Sequence, residues 1–243
     1  MKEKFLFFDD GGVLNDNKVR GNQWKQLIAD YFTPLYGGDA ESWAKANVYA
    51  MGFITDFIKD IQESKSLLSY KDYKNHESEL WVEKMFNYVG IHLPPKENYS
   101  LLVDQVNTWI IPQIRSSYPG IIEVIQNLSV HYKMNTASNE YSKMLHGYLE
   151  GMKVRKFFTY LFGPDLVNMM KSNVDYYNKI FSYAQVDPKK AIIIDDQTSA
   201  LDYAKSTGAT VVQACFDSQK PEFEHYISQP SDLSTLLQKL RTK

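Results

Sequence analysis

The sequence predicts an α/β fold, a parallel sheet with helices on both faces, interrupted by a mostly helical insert. Two short runs of consecutive apolar residues, Phe5-Leu6-Phe7-Phe8 and Ala191-Ile192-Ile193-Ile194, each stop at a pair of aspartates. An apolar run without alternation is the pattern of a strand buried on both faces, as in a parallel sheet. From about residue 118 to 214, helical patterns alternate with further strand candidates, which is the order that builds such a sheet. From about residue 17 to 117 that alternation is lost and few strand-like runs occur.

The first strand is Phe5 to Phe8. In the insert, Trp24, Leu27, Ile28 and Tyr31 fall on one helical face. All four tryptophans (Trp24, Trp43, Trp81, Trp109) lie in this insert, and they read as its own core, with a few left to face a substrate pocket. Gly37-Gly38-Asp39 and Leu93-Pro94-Pro95 read as loops between helices, and Tyr118-Pro119-Gly120 as the turn back to the core. The expected division is a core domain of residues 1–16 and 118–243 and a helical domain of residues 17–117. After the turn, Ile121, Val124, Ile125 and Leu128 share one helical face, and Met134 to Ala137 and Thr159 to Phe162 are strand candidates. Val174, Tyr177, Phe181 and Ala184 share another helical face, with Asn173 as the N-cap. The Ala191 strand and a last candidate, Thr210 to Ala214, complete the sheet.

Composition narrows the function. Of 243 residues, 44% are hydrophobic and 23% charged, ordinary values for a globular chain and far from a disordered one. Lys+Arg number 27 and Asp+Glu 29, a formal net charge of -2, with no long basic run, so no nucleic-acid partner is expected. The lone Cys215 excludes an intramolecular disulfide and a cysteine-cluster metal site. Met1-Lys2-Glu3-Lys4 precedes only four apolar residues, too few for a signal peptide or a membrane span, so a cytoplasmic protein without a membrane partner is expected.

The chemistry should lie at the strand ends, because open α/β sheets bind ligands beyond the carboxyl ends of their strands. Asp9-Asp10 and Asp195-Asp196 end two such strands. Carboxylates gathered in one crevice repel unless a cation neutralises them, and an oxygen-only ligand set of this kind suits Mg²⁺. A single strand-end Asp is commonly a helix N-cap; two pairs after two apolar strands are less easily explained that way.

Phe8-Asp9-Asp10-Gly11-Gly12-Val13-Leu14 resembles the first motif of the haloacid dehalogenase (HAD) superfamily, an apolar strand followed by Asp-x-Asp-Gly-Thr/Val-Leu. Gly12, Val13 and Leu14 fix the register, which makes Asp9 the nucleophile. Thr136-Ala137-Ser138-Asn139 matches the second motif through Ser138. Met170-Lys171-Ser172-Asn173 supplies the lysine of the third, and Asp195-Asp196 the acidic pair of the fourth. Gly208-Ala209 also fits the pattern, and the resemblance spans residue 4 to about 214.

The resemblance implies a Rossmann-like core with a helical cap inserted after the first motif. It also implies a Mg²⁺-dependent phosphatase that attacks a small phosphorylated metabolite through an aspartyl-phosphate on Asp9. Mg²⁺ would be held by Asp9, the Gly11 carbonyl and Asp196, with Asp195 close by or ligating through water. Ser138, Asn139 and Lys171 would bind the phosphate, and Lys171 would bridge it to Asp9. Ser138 as a plain helix N-cap and Lys171 as a solvated loop lysine are the competing structural roles.

The departures from the pattern matter as much. Phosphatases of the family usually carry a second Asp two residues after the nucleophile, as acid for the leaving oxygen; here that position is Gly11. Ala200 stands where many members have Asp or Asn, and Ser172 where Pro often follows the lysine. Two alternatives therefore stand beside the phosphatase: a metal-independent 2-haloacid dehalogenase-like hydrolase, which needs no acidic pair, and a catalytically weak binding protein of the same fold.

Overall fold

Phe5–Phe8 forms β1, the strand around which the sheet is built. The computed structural model describes residues 4–64, 69–217 and 219–241; the opening Met1-Lys2-Glu3 lies outside them. The other strands are β2 (Lys133–Ala137), β3 (Phe158–Phe162), β4 (Ala191–Asp195), β5 (Thr210–Ala214) and β6 (Tyr226–Ile227). They form one sheet in the order β3-β2-β1-β4-β5-β6. Every pair is parallel.

The lack of alternation in β1 follows from the two cores it serves. Leu6 and Phe8 point into a cluster with Met134, Ile192, Ile194 and Val212. That cluster is covered by α5 (Ile121–Ser129), α6 (Ser142–Gly151) and α10 (Asp232–Arg241). Phe7 points the other way, to Ala137, Phe162, Ile193 and Val211. The cover there is α8 (Val174–Ala184) and α9 (Thr198–Ser206). Both faces are thus dry, as the apolar runs require.

The turns are equally local in origin. Asn173 caps α8, its Oδ1 accepting from the amides of Asp175 and Tyr176 at 2.9 and 3.3 Å. α7 (Pro164–Val167) follows Gly163, where any Cβ would lie 2.2 Å from the Glu140 carbonyl oxygen. Only glycine lets the end of β3 approach the loop after β2 that closely.

The chain divides into two compact units, Met1–Asn17 with Arg115–Lys243, and Lys18–Ile114. The second is built from α1 (Asn17–Tyr36), α2 (Ala40–Ser64), α3 (Tyr70–Val89) and α4 (Tyr99–Ile110). Its centre is aromatic. Phe32 and Trp43 lie 4.7 Å apart between ring centroids, and Trp81 and Phe86 pack edge-on to Phe32. The buried Asn47 Oδ1 accepts from Trp81 Nε1 at 3.0 Å, so the indole enters the core with its polar atom satisfied. Trp43 and Trp81 are therefore core residues, Trp24 is half-buried, and Trp109 is exposed. Among the described residues no helix is long and apolar enough to cross a membrane.

Candidate active site

Register delivers the site. Phe8 pairs with Thr136 on one side and Ile194 on the other, so Asp9, Ala137 and Asp195 leave the sheet at one level. β1 and β4 are also where the strand order reverses direction, the place where open α/β sheets form their crevice. Asp9 stays in line because its amide donates to the Ile194 carbonyl at 2.9 Å.

Lys171 sits at the centre of the charges and is buried, 4% exposed. Its Nζ lies 2.9 Å from Asp9 Oδ1 and 2.9 Å from Asp195 Oδ2, and donates to the Ala137 carbonyl at 3.3 Å. All three ammonium hydrogens are thereby used. Burial alone would pull its pKa down; the carboxylates of Asp195 and Asp9 outweigh that and hold it well above the ordinary lysine value. A solvated loop lysine would show none of this.

One ammonium does not balance three carboxylates. Oxygens of Asp9, Asp195 and Asp196 lie within 4.8 Å of one another. Asp195 spends both oxygens on the protein, one on Lys171 and the other on the Gln197 amide at 3.0 Å. Burial pushes its carboxyl up, opposed by Lys171, to about 6. Asp196 is helped less, by the charge of Lys171 and by a backbone hydrogen bond. Its Oδ1 is buried with no hydrogen-bond partner among the described residues. Burial, then the charges of Asp9 and Asp195, push its carboxyl up to about 7.

Gly12 makes the cluster possible. An added Cβ there would fall 2.4 Å from Asp196 Oδ2. Gly12 is also left-handed, φ +82°, so a side chain there would be strained and would displace the Asp196 carboxylate. Gly11 is not among the positive-φ glycines. The glycine that the backbone requires is thus the second of the pair.

The remaining expected site residues divide. Ser138 is buried and its Oγ accepts from the Glu140 amide at 3.2 Å. It is not a helix cap, since α6 begins at Ser142 and Ser142 is held instead by Asp165. With an acceptor position already filled, its hydroxyl hydrogen is the part left to offer a ligand. Asn139 Oδ1 accepts from the Lys171 amide at 2.7 Å, so it positions the lysine loop. Tyr176 Oη shares its hydrogen between the carbonyls of Ser138 and Phe162, at 3.1 and 3.2 Å, tying α8 beneath the same loop.

Asp10, the neighbour of the nucleophile candidate, turns into the protein. It is wholly buried and accepts from Asn15 Nδ2 at 2.7 Å, and Asn15 Oδ1 accepts from Ser116 Oγ at 2.8 Å. Neither Asn15 nor Ser116 was among the expected site residues. The signal was a carboxylate inside an apolar loop, which must find a partner when buried.

The chain has known relatives. Residues 52–214 match the family described as haloacid dehalogenase-like hydrolase. The chain belongs to that family. The matched stretch includes Ser138, Lys171, Asp195 and Asp196 and starts after the Asp9 loop. A phosphoglycolate phosphatase from Mesorhizobium japonicum is 26% identical over 118 residues, 47% of this chain and 52% of that protein. The chain thus spans about half the length of that relative.

Among solved structures, the HAD hydrolase YfnB from Bacillus subtilis, bound to magnesium, superposes with a TM-score of 0.69 at 16% identity, over 98% of this chain and 99% of that one. A 2-haloacid dehalogenase from Pseudomonas syringae reaches 0.67 at 13% identity, covering 98% and 99%. An L-2-haloacid dehalogenase from Xanthobacter autotrophicus, with chloropropionic acid covalently bound, reaches 0.66 at 15%, covering 97% and 98%. These likenesses show a shared HAD-like α/β fold.

Proposed function

We propose that this HAD-family hydrolase is a Mg²⁺-dependent phosphatase of a small phosphorylated metabolite, with Asp9 as nucleophile. The observation that carries the reading is a cluster of three carboxylates with one ammonium between them, above all the buried Asp196 Oδ1, which has no hydrogen-bond partner among the described residues. A metal-independent dehalogenase has no use for it.

The residues fit a hard cation. Ligand oxygens opposite each other around Mg²⁺ are about 4.2 Å apart, close to the breadth of this cluster. Asp9 and Asp196, with the Gly11 carbonyl, would hold the ion directly. Asp195, spent on Lys171 and Gln197, would act from behind. Bound Mg²⁺ supplies charge neutralisation for the phosphoryl oxygens and for the clustered carboxylates.

The chain's own groups do the rest. Asp9 attacks phosphorus, forming a P–O bond as the ester P–O bond breaks, and water then hydrolyses the aspartyl-phosphate. Lys171 orients Asp9 and counters the charge that gathers there. The Ser138 hydroxyl and the Asn139 amide nitrogen are assigned to phosphate oxygens. Gly11 offers no acid, so the leaving oxygen takes its proton from water. The helical unit corresponds to the cap that the resemblance implies, which in such hydrolases restricts access to small substrates.

The test is turnover of p-nitrophenyl phosphate with Mg²⁺, with EDTA, and with Mg²⁺ restored, beside halide release from 2-chloropropionate. Mg²⁺-dependent phosphate release supports the reading. Halide release indifferent to EDTA, without phosphatase activity, would replace it by the dehalogenase.

A further inference from the structure

We propose that Asp10, Asn15 and Ser116 form a positioning bridge that fixes the loop carrying Asp9 and Gly11. The proposal rests on the reading of that loop as catalytic. The three side chains are 0%, 1% and 1% exposed, so each polar group must be matched inside the protein. They match in one order only. A carboxylate can only accept, so Asn15 Nδ2 turns to Asp10, and Asn15 Oδ1 is left facing the Ser116 hydroxyl.

The backbone runs parallel to this chain of side chains. The Asp10 carbonyl accepts from the amides of Leu14 and Asn15 at 2.9 and 2.8 Å, and the Asn15 carbonyl accepts from Gly12 at 2.9 Å. Ser116 then accepts from the Asp16 amide at 2.7 Å, and Leu14 from the Tyr118 amide at 3.2 Å. Segment 10–16 is therefore clasped to segment 116–118, a hundred residues further along the chain. Asp10 lies between Asp9 and Gly11, so whatever fixes its side chain fixes the main chain that presents both.

An apolar residue would fill the wholly buried site of Asp10 more cheaply. What the buried carboxylate adds is direction. A buried carboxylate must be aimed at its donor, so a fully satisfied network specifies one arrangement of the loop.

Exchange of donor and acceptor tests the bridge. Asn15→Asp sets two carboxylates face to face; adding Asp10→Asn restores the same hydrogen bonds with the roles reversed, and Ser116 can still donate. Two readouts are taken: hydrogen–deuterium exchange of segment 9–17 without metal, and kcat and KM for p-nitrophenyl phosphate with Mg²⁺.

Asn15→Asp is expected to speed exchange of the Gly12, Leu14 and Asn15 amides by about tenfold or more. It should lower kcat by about tenfold or more while KM moves less than about threefold. The double variant should return to within about threefold of wild type on both. Unchanged exchange and kcat in Asn15→Asp, or a double variant no better than the single, overturns the proposal. Should Asn15→Asp not fold, Ser116→Ala removes one hydroxyl only; faster exchange supports the bridge, and unaltered exchange overturns it. If wild type turns over no phosphate ester with Mg²⁺, the phosphatase reading fails while the exchange data still decide the bridge.

Discussion

Asp9 and Asp10 are identical side chains, adjacent in sequence, with opposite environments. Asp9 meets Lys171 and the cluster of carboxylates, and Asp10 meets Asn15 within the core. Asp9→Asn should therefore keep the fold and lower kcat by at least about a thousandfold, because an amide oxygen is a poor nucleophile. Asp10→Asn keeps an acceptor for Asn15 and should lose less than about tenfold. Equal losses in steady-state kinetics would mean that the register of the loop is misassigned. Gly11 leads to a second expectation. Without a side-chain acid, aryl and acyl phosphates should be better substrates than alkyl phosphates. Gly11→Asp meets no left-handed backbone, since that conformation belongs to Gly12. It should raise alkyl turnover more than aryl turnover, toward the ~10²–10⁴-fold worth of an acid. A wild-type rate independent of leaving-group pKa, with chemistry rate-limiting, would sink this idea. At this scale the sequence carried the residue types and their order, because motifs state which groups stand at strand ends. Of the partnerships, the resemblance implied that of Lys171 with Asp9 but not the rest. The use of Asn139 on the Lys171 amide, and of Asp195 on Lys171, depends on contacts 32 and 24 residues apart in sequence.

The elements were legible in proportion to their apolar signal. β1 and β4 stand out as unbroken apolar runs because both faces are buried. β2 and β3 are weaker in sequence, with Asn135 buried in one and two exposed residues in the other, yet the observed spans differ from expectation by a single residue at one end. β6 was not foreseen. It has two residues, paired only to Gln213 and Ala214, too short for any periodicity to form. α8 shows what capping adds. Asn173 was readable as its cap because Asn, in an extended conformation before an apolar periodic stretch, satisfies amides that the first turn cannot. Asn173→Ala should cost about 1 kcal/mol, within a range of about 0.5–2, measured by urea denaturation. A larger effect is expected on kcat than on stability, since the cap lies two residues from Lys171. A variant with full stability loss and wild-type kcat would show that Asn139 and the Lys171 ion pairs hold the lysine loop without the cap.

For the molecule as a whole, the candidate site is a source of instability that a cation should remove. In the metal-free protein burial, then the charges of Asp9 and Asp195, push the Asp196 carboxyl up to about 7 from an ordinary 3.8. A carboxyl raised on folding makes the folded state bind more protons than the unfolded one between those values. Its stabilising contribution is then fully present below about 3.8 and is lost as pH rises through about 7. Asp195, raised to about 6, acts in the same direction. The metal-free protein should therefore melt progressively lower as pH goes from about 5 to about 8, so far as this cluster decides it. Mg²⁺ competes with protons for the same oxygens, so the increase in Tm that it brings should be small at pH 5 and grow towards pH 8. At a hundred times its dissociation constant a ligand adds about 2.7 kcal/mol, which is several degrees for a chain of this size. Thermal unfolding with EDTA and with Mg²⁺ across that interval measures both trends. Asp196→Asn removes the titrating group and its negative charge. It should flatten the metal-free dependence and abolish most of the Mg²⁺ increment, without lowering the metal-free Tm at pH 8. An increment equal at pH 5 and pH 8 would mean that Mg²⁺ binds elsewhere, and the carboxylates of β1 and β4 would need another counter-charge.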